Sequence, residues 1–516
     1  MKNRDIQAAW TYHDGTKHSY WSIRNNPHFL DLANRPQPFK IYPGIESFPL
    51  PRDLSQTGVT ALSAISESVP SSGVDSVPTL QDLARILYFS AGITRQRKYA
   101  GGEIYFRAAA CTGALYEIEL YVITGDIPGL QAGVYHFNPA DVSLRILRKG
   151  DFRGNLAHAT AMEPAVASGP AIIVCTGTYW RNAWKYQART YRHFGWDNGT
   201  LLANLLAVSA ASALPAEIVL GFVDNSVNRL LDLDTWREVS FCLVPIGHAS
   251  SSSLPAPREV PALGLETIPL SQRQVEYPAM LEMHDASSLE TEEEVLLWRG
   301  QQPMALAFSS EVHAQTVQLQ PLREEEQLKD AIEQVILRRG STRTFDRTAS
   351  ISLAELSTIL YYATRGLAAD FLEPHGTQLN DLYLIVNSVQ GLTPGAYFFR
   401  RDRSSLELLK AGEFRDEARY LGLEQQLPAD ACVNIFFLAD LKPILERYGN
   451  RGYRAVQLEA GAIGGKMYLA AYAQRLGATG LTFFDDDVIN FFSPHEKGKS
   501  AIFLLAIGKP LKPKLQ

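Results

Sequence analysis

The chain has 516 residues, 46% of them hydrophobic and 20% charged, which is ordinary globular composition and enough for two to four domains. A formal net charge of −6 and a pI of about 6.0 leave no basic surplus to neutralise phosphates, which argues against nucleic acid as the main partner. Cys111, Cys175, Cys242 and Cys432 form no C-x-x-C pair, and the eleven histidines show no H-x-x-x-H or H-E-x-x-H spacing, so neither a disulfide framework nor a metal is implied.

In chain order, residues 1–51 begin without an apolar signal core and carry prolines at 36, 38, 43, 49 and 51. They read as an extended N-terminal arm. A first unit, 52–248, opens on an amphipathic helix (Leu80–Phe89) and continues through strands Ile118–Ile123 and Gly133–Phe137, a further helix and a buried strand, Ala171–Cys175. A Tyr/Arg-rich segment, a long helix (Asp197–Ser212) and a closing strand pair (Ile218–Val223 with Phe241–Ile246) end it. Residues 249–326 read as a surface linker, rich in Ser and Pro, with an acidic run from Glu290 to Glu294 that suits a solvated helix start. The second unit, 327–516, repeats the order: helix Leu353–Tyr362, strands Leu382–Val386, Gly395–Phe399 and Asn434–Leu438, long helix Glu459–Arg475, and Leu481–Phe484 with Ile502–Ile507. Alternation without a clean βαβ period predicts an α+β fold. The longest apolar stretch, Leu201 to Val223, is broken by Asn204, Pro215 and Glu217. It reads as buried helix, turn and strand, so no membrane span is expected and the protein is expected to be cytoplasmic.

The two units share one register. Lys185-Tyr186, Arg189, Tyr191-Arg192, Asp197 and Gly199 recur 262 positions later as Arg447-Tyr448, Arg451, Tyr453-Arg454, Glu459 and Gly461. Gly129, Gly133 and Tyr135 recur as Gly391, Gly395 and Tyr397, and Phe222 and Asp224 recur 261 positions later as Phe483 and Asp485. The repeat argues for common architecture in the two units, not for activity in both.

The sharpest local motif is Arg338-Arg339-Gly340-Ser341-Thr342-Arg343-Thr344-Phe345. Clustered guanidinium groups and a hydroxyl in a bend suit a phosphate dianion, although composition alone favours a basic helix end complementing its own dipole. Two decoys are set aside. Gly498-Lys499-Ser500 lacks the upstream glycine of a phosphate loop, since Ser493 stands there, and Gly461–Lys466 falls inside a helical pattern.

Together these stretches resemble the FMN-dependent nitroreductase family, and more narrowly its SagB/ThcOx-type dehydrogenases. The match is carried by the Arg338–Phe345 motif, by Tyr12–Ser19 with Asn34–Phe39, by Arg107–Tyr121, and by Lys185-Tyr186 with Tyr191-Arg192. The resemblance implies two tandem nitroreductase-like domains, each with a mixed, mainly antiparallel sheet flanked by helices, forming an intramolecular pseudo-dimer. In that family FMN lies at a subunit interface, so phosphate is expected on Arg338, Arg339, Ser341 and Arg343 of the second unit. The first unit is expected to supply the loop Arg107, Cys111, Thr112, Gly113, Ala114 and Leu115. Gln425 is expected near the ribityl chain or ring edge, and Thr479-Gly480-Leu481 matches a turn whose backbone N–H faces flavin N5. The first unit has Ser66–Gly73, without arginine, where its own phosphate motif would lie, and the second has a divergent loop, Leu372–Gln378. Complementary loss leaves one composite site. Lys185 and Tyr186 are the expected catalytic pair, by resemblance to a Lys-Tyr pair that removes a proton; a structural ion-pair network with Asp197 is the competing reading. The implied activity is oxidation of azoline-like or other heterocyclic, peptide-derived substrates. The alternatives are an NAD(P)H-dependent nitro or quinone reductase and a flavin-free scaffold of a modification complex. Assembly beyond the pseudo-dimer is left open.

Overall fold

A computed structural model describes residues 2–66, 74–99, 102–249, 254–300, 315–372 and 377–511. The stretch Ser66–Gly73 beyond its first residue, and Glu373–Gly376 of the second loop, lie outside the described residues.

Two antiparallel sheets carry the fold. The N-terminal one comprises β1 (Ser47–Pro49), β4 (Ile118–Thr124), β5 (Gly133–Asn138), β6 (Ser143–Lys149), β7 (Ala171–Thr178) and β8 (Glu238–Ile246), in the order β1-β6-β5-β4-β7-β8; β2 (Ile93–Tyr99) and β3 (Gly102–Arg107) form a separate hairpin. The C-terminal sheet comprises β9 (Thr316–Gln318), β11 (Asp381–Val386), β13 (Gly395–Arg400), β14 (Ser405–Ala411), β15 (Val433–Ala439), β16 (Gly477–Leu481) and β17 (Ser500–Gly508), with β10 (Ile351–Ser352) and β12 (Val389–Gln390) as a small parallel pair. Its order, β16-β17-β15-β11-β13-β14-β9, repeats the first: β6-β5-β4-β7-β8 corresponds to β14-β13-β11-β15-β17. The register agrees as well. Tyr121 pairs with Val174 and Tyr383 with Phe436, each 262 positions on. The mixed α+β architecture expected from the sequence is the one observed.

Local chemistry sets the element ends. Thr79 and Asp82 close a capping box on helix Leu80–Ala91, and Ser352 and Glu355 do the same for Leu353–Ala363, each satisfying two otherwise orphaned backbone donors. β4, β7, β15 and β17 are buried along their whole length, as their predominantly apolar runs require.

The halves meet along two long helices, Thr190–Ala211 and Arg451–Ala473, which are buried almost all round. Glycines let the backbones touch. A Cβ on Gly199 would sit 2.4 Å from the Ala462 nitrogen, and one on Gly461 would sit 2.4 Å from the Trp196 carbonyl oxygen. Gly199→Ala should therefore cost about 1–3 kcal/mol through overpacking; an unchanged urea midpoint would refute that contact.

Two buried charge clusters bolt the halves together. Arg189 and Arg192 reach Asp485 at 3.0 and 2.7 Å, and Arg451 and Arg454 both reach Asp224 at 2.7 Å. The remaining donors of Arg192, Arg451 and Arg454 are taken by chain carbonyls and hydroxyls. Arg192 donates to His13 O, and Arg454 donates to His284 O and Ser287 Oγ.

Several expectations need correction. Residues 1–51 are not simply extended: helices Gln7–Gly15 and Tyr20–Asn25 form, and the first docks on the C-terminal half, with the Ala9 N–H donating to Asn450 Oδ1 at 3.0 Å. Residues 249–326 contain helices Pro278–Ala286 and Glu292–Arg299 and strand β9, and they bury Met280, Met283 and Trp298. The acidic run does start a helix, with Thr291 accepting the Glu294 N–H. Ile218–Val223 is no strand but a chain of isolated bridges, one of them from Ile218 to Ala369 of the other half. β6 and β14 have no counterpart among the expected strands; their arginines, lysines and glutamate mask the strand pattern.

Candidate functional site

A cavity of about 290 Å³ opens between the halves. From the N-terminal half it is lined by Ala110–Gly113, Lys185, Tyr186, His193, Trp196, Asp197 and Thr200. The C-terminal half contributes Ser341, Arg343, Gln425, Leu427, Tyr468, Thr479–Thr482 and Phe503. Eleven of the sixteen residues singled out from sequence face it: Cys111, Thr112, Gly113, Lys185, Tyr186, Ser341, Arg343, Gln425, Thr479, Gly480 and Leu481.

Five do not, and the contacts say why. Arg338 pairs with Asp330 at 2.7 Å and donates to the Tyr472 carbonyl. Arg339 turns toward the other half, where Nε and Nη2 donate to the carbonyls of Ala108 and Arg107 at 3.0 and 3.1 Å. It fastens the loop rather than facing the cavity. Arg107 is buried against Phe39 and Tyr116 and donates to the Pro38 carbonyl at 2.7 Å. Leu115 enters the core, and Ala114 completes the 3₁₀ turn Thr112–Ala114.

The 341–345 segment runs beside β16, with the Thr342 N–H donating to Ala478 O at 2.9 Å. That contact places Ser341 near Gly480, and the Tyr468 hydroxyl lies between them, 3.4 Å from Ser341 Oγ and accepting the Gly480 N–H. Thr479–Leu481 is thus strand rather than turn, and its central donor is engaged by Tyr468. Arg343 is exposed and has no ion pair among the described residues, leaving its guanidinium available to an anion.

Across the cavity, the loop must pass tightly. Gly113 adopts φ +64°, and a Cβ there would lie 2.8 Å from the Tyr186 hydroxyl, so only glycine is unstrained at this point. Thr112 is held by Asp197, whose Oδ1 accepts its N–H at 2.9 Å and its hydroxyl at 3.0 Å. Glu459, at the matching position 262 residues on, grips Leu379 and Asn380 in the same way. Asp197 therefore anchors the loop, which sequence reading did not anticipate.

Cys111 Sγ is 3.3 Å from Glu117 Oε2 and 3.3 Å from Asp197 Oδ2, and it accepts the Tyr116 N–H. The ligand atoms of this trio lie within 4.8 Å of one another. Neither carboxylate has a basic ion-pair partner among the described residues. Burial, reinforced by the Glu117 charge, pushes the Asp197 carboxyl well above its usual range. Burial, reinforced by Asp197, pushes the Cys111 thiol up. The neighbouring Glu117 charge and the burial together disfavour ionisation of Asp197 beside the cavity.

Lys185 is half-buried, its Nζ 5.2 Å from the Tyr186 ring centroid. Desolvation, with Arg343 and Arg35 adding positive charge nearby, lowers its pKa from 10.5. The Tyr186 ring meets His193 edge-on at 4.7 Å, and burial raises its hydroxyl pKa. The cavity wall thus carries the Arg343 guanidinium, the Ser341 hydroxyl and the half-buried Lys185 amine together with the rings of Trp196 and Phe503.

Residues 336–509 match the Nitroreductase family, so the C-terminal half carries a nitroreductase-family domain. A nitroreductase-like protein of Methanocaldococcus jannaschii is 26% identical over 170 residues, 33% of this chain and 81% of that one. The trifolitoxin-processing protein TfxB of Rhizobium leguminosarum bv. trifolii is 27% identical over 200 residues, 38% of this chain; the match spans about half of it, 48%. The crystal structure of a nitroreductase-like protein from Anabaena variabilis superposes with a TM-score of 0.75 at 24% identity, covering 98% of this chain and 99% of the other. That likeness establishes a nitroreductase-like fold over nearly the whole chain. No helix among the described residues is long and apolar enough to cross a membrane.

Proposed function

We propose that the chain is an FMN-dependent oxidoreductase whose two halves, a tandem duplication, act as an intramolecular pseudo-dimer with one composite cofactor site. The observation that carries this reading is the cavity wall itself, with Ser341, Arg343, Gln425 and Thr479–Leu481 from one half facing Cys111–Gly113, Lys185 and Tyr186 from the other. The residues fit the group: a cation without an ion pair and a hydroxyl for a phosphate dianion, a glycine loop without Cβ for close approach, and aromatic rings for an isoalloxazine. Arg338 and Arg339 leave the phosphate set, so Arg343 and Ser341 carry that contact. Bound there, FMN would supply a two-electron acceptor or donor. The chain's own part is to hold the phosphate, exclude water and move a proton at Lys185 Nζ.

For substrate, we favour a SagB/ThcOx-type oxidation of an azoline-like or other heterocyclic, peptide-derived group. Similarity to a toxin-processing protein supports it, as does a desolvated amine positioned to take a proton while hydride leaves. The nitroreductase-family domain equally supports NAD(P)H-driven nitro or quinone reduction, and electron-donor preference separates the two.

The deciding measurement is the visible spectrum of purified protein with released flavin counted per chain, repeated for Arg343→Ala. One FMN per chain is expected. The variant should bind it about 10- to 150-fold more weakly, the equivalent of one charge-assisted contact worth roughly 1.5–3 kcal/mol. Two FMN per chain would overturn the composite site, and a colourless protein that FMN cannot reconstitute would favour a scaffold.

A further inference from the structure

The shared register defines a second set of cleft-wall positions, related to the first by exchange of the halves. Tyr448 stands there for Tyr186 and Glu163 for Gln425, each 262 positions apart, while Leu220 and Gly221 stand for Leu481 and Thr482, 261 apart. All except Leu220 contact one short helix or its immediate end, and Leu220 is held through Asp370. Trp298 Nε1 donates to Tyr448 O at 3.0 Å, and its indole lies 5.4 Å from the Tyr448 ring, centroid to centroid. Arg299 Nε reaches Glu163 at 2.8 Å, while Nη2 donates to the carbonyls of Gly221 and Thr160. Asp370 accepts the N–H groups of Leu220 and Gly221 at 2.9 and 2.8 Å. A Cβ on Gly221 would meet Asp370, Arg299 and Trp298 within 3.2 Å.

The helix that brings Trp298 in has its own counterpart beside the first cleft. His13, Asp14 and Thr16 recur 271 positions later as His284, Asp285 and Ser287, and the chain then pairs with an aspartate in the same way at both places. The Asp485 N–H donates to His18 O and Asp485 Oδ2 accepts the His18 N–H; Asp224 and Leu289 exchange the same two bonds. After His18 the chain forms the short helix Tyr20–Asn25, none of whose residues is buried and whose Trp21 is 67% exposed. After Leu289 it forms Glu292–Arg299, longer by two residues, and Trp298 is 1% exposed. The same segment stays outside at one cleft and fills the other.

We propose that Glu292–Arg299 is a built-in plug, with the Trp298 indole and Arg299 guanidinium occupying the second cleft as an internal ligand, so that it is a latent site for a planar aromatic heterocycle. The proposal rests on the composite-site reading only for the choice of probe. Removing the plug should open a slot for an isoalloxazine ring; riboflavin is the probe because it needs no phosphate grip.

The test counts riboflavin bound per chain for the wild type and for Trp298→Gly with Arg299→Ala. An increase of one equivalent in the variant is expected, from whatever value the wild type gives. If the wild type binds none and the variant one, the composite-site reading fails while the plug stands. A variant with wild-type circular dichroism but no added equivalent overturns the plug. Hydrogen exchange on the wild type covers the case in which the variant does not fold. Backbone amides of 295–299 should exchange at least 100-fold more slowly than those of 22–25; equal rates would overturn the proposal.

Discussion

Asp224→Asn is expected to destabilise the chain by about 3–5 kcal/mol, because it leaves Arg451 and Arg454 buried without their counter-charge. Asp485→Asn should do the same to Arg189 and Arg192. These aspartates sit at the joint between halves, so each loss should also loosen the cavity, which is built from both sides. The effect has a pH signature. Burial alone would raise the Asp224 pKa, but the charges of Arg451 and Arg454 outweigh it and hold the carboxyl at about 2 instead of 3.8. A depressed folded-state pKa gives stability that is fully present above the unfolded value and is lost as pH falls through the folded one. The gap between wild type and Asp224→Asn in guanidinium unfolding should therefore be constant from pH 7 down to about 5 and narrow toward pH 2. The titrating part is on the order of 2 kcal/mol. A gap that stays the same at pH 7 and pH 2.5 would show that the ion pair is not what the asparagine removes. Asp485, held well below the usual carboxylate range by the same balance of burial against Arg189 and Arg192, should keep its gap to lower pH still.

Much of this joint is legible in sequence, and for a physical reason. Buried charge must be paired, so Arg189, Arg192, Arg451 and Arg454 and their aspartates keep both type and spacing across the two halves, and a fixed offset reveals them. Apolar runs such as Ile118–Thr124 and Val433–Ala439 announce central strands in the same way. What stays hidden is where each guanidinium points. Arg338, Arg339 and Arg343 look alike in a motif of eight residues, yet one pairs with Asp330, one ties down the Arg107–Ala108 backbone and one faces the cavity. Side-chain direction depends on partners outside the motif, from Asp330 eight positions before Arg338 to the Arg107 and Ala108 carbonyls more than two hundred away, which local pattern does not encode. The matching arms stay hidden for a different reason. Only Ala8, His13 and Asp14 survive as identical residues, at Ala279, His284 and Asp285, too few to stand out until Asp485 and Asp224 are seen to hold both segments by the same bonds.

Lys185→Met is expected to lower turnover by about 10²–10⁴-fold, the usual worth of a positioned acid or base, while leaving flavin content unchanged. The sign of the pKa shift makes the claim specific. Desolvation comes first among the causes, and the nearby charges of Arg343 and Arg35 act in the same direction, so the neutral amine becomes available below the ordinary lysine value. Wild-type kcat should then rise with pH along a limb whose apparent pKa lies below 10.5, and that limb should vanish in Lys185→Met. Lys185→Arg keeps the charge and much of the length but does not deprotonate in this range. It should be as inactive as the methionine variant if Lys185 moves a proton, and close to wild type if Lys185 only supplies positive charge to the cavity. Asp197 enters as a second limb. Its pKa is raised, so it ionises above the usual carboxylate range, and Glu117→Gln, which removes the charge that reinforces the shift, should move that limb to lower pH without touching the lysine one. Two limbs that respond separately to the two variants would assign one proton to Lys185 and one to Asp197; a single limb indifferent to Lys185→Met would leave the amine a structural part of the cavity wall and return the catalytic role to the flavin alone.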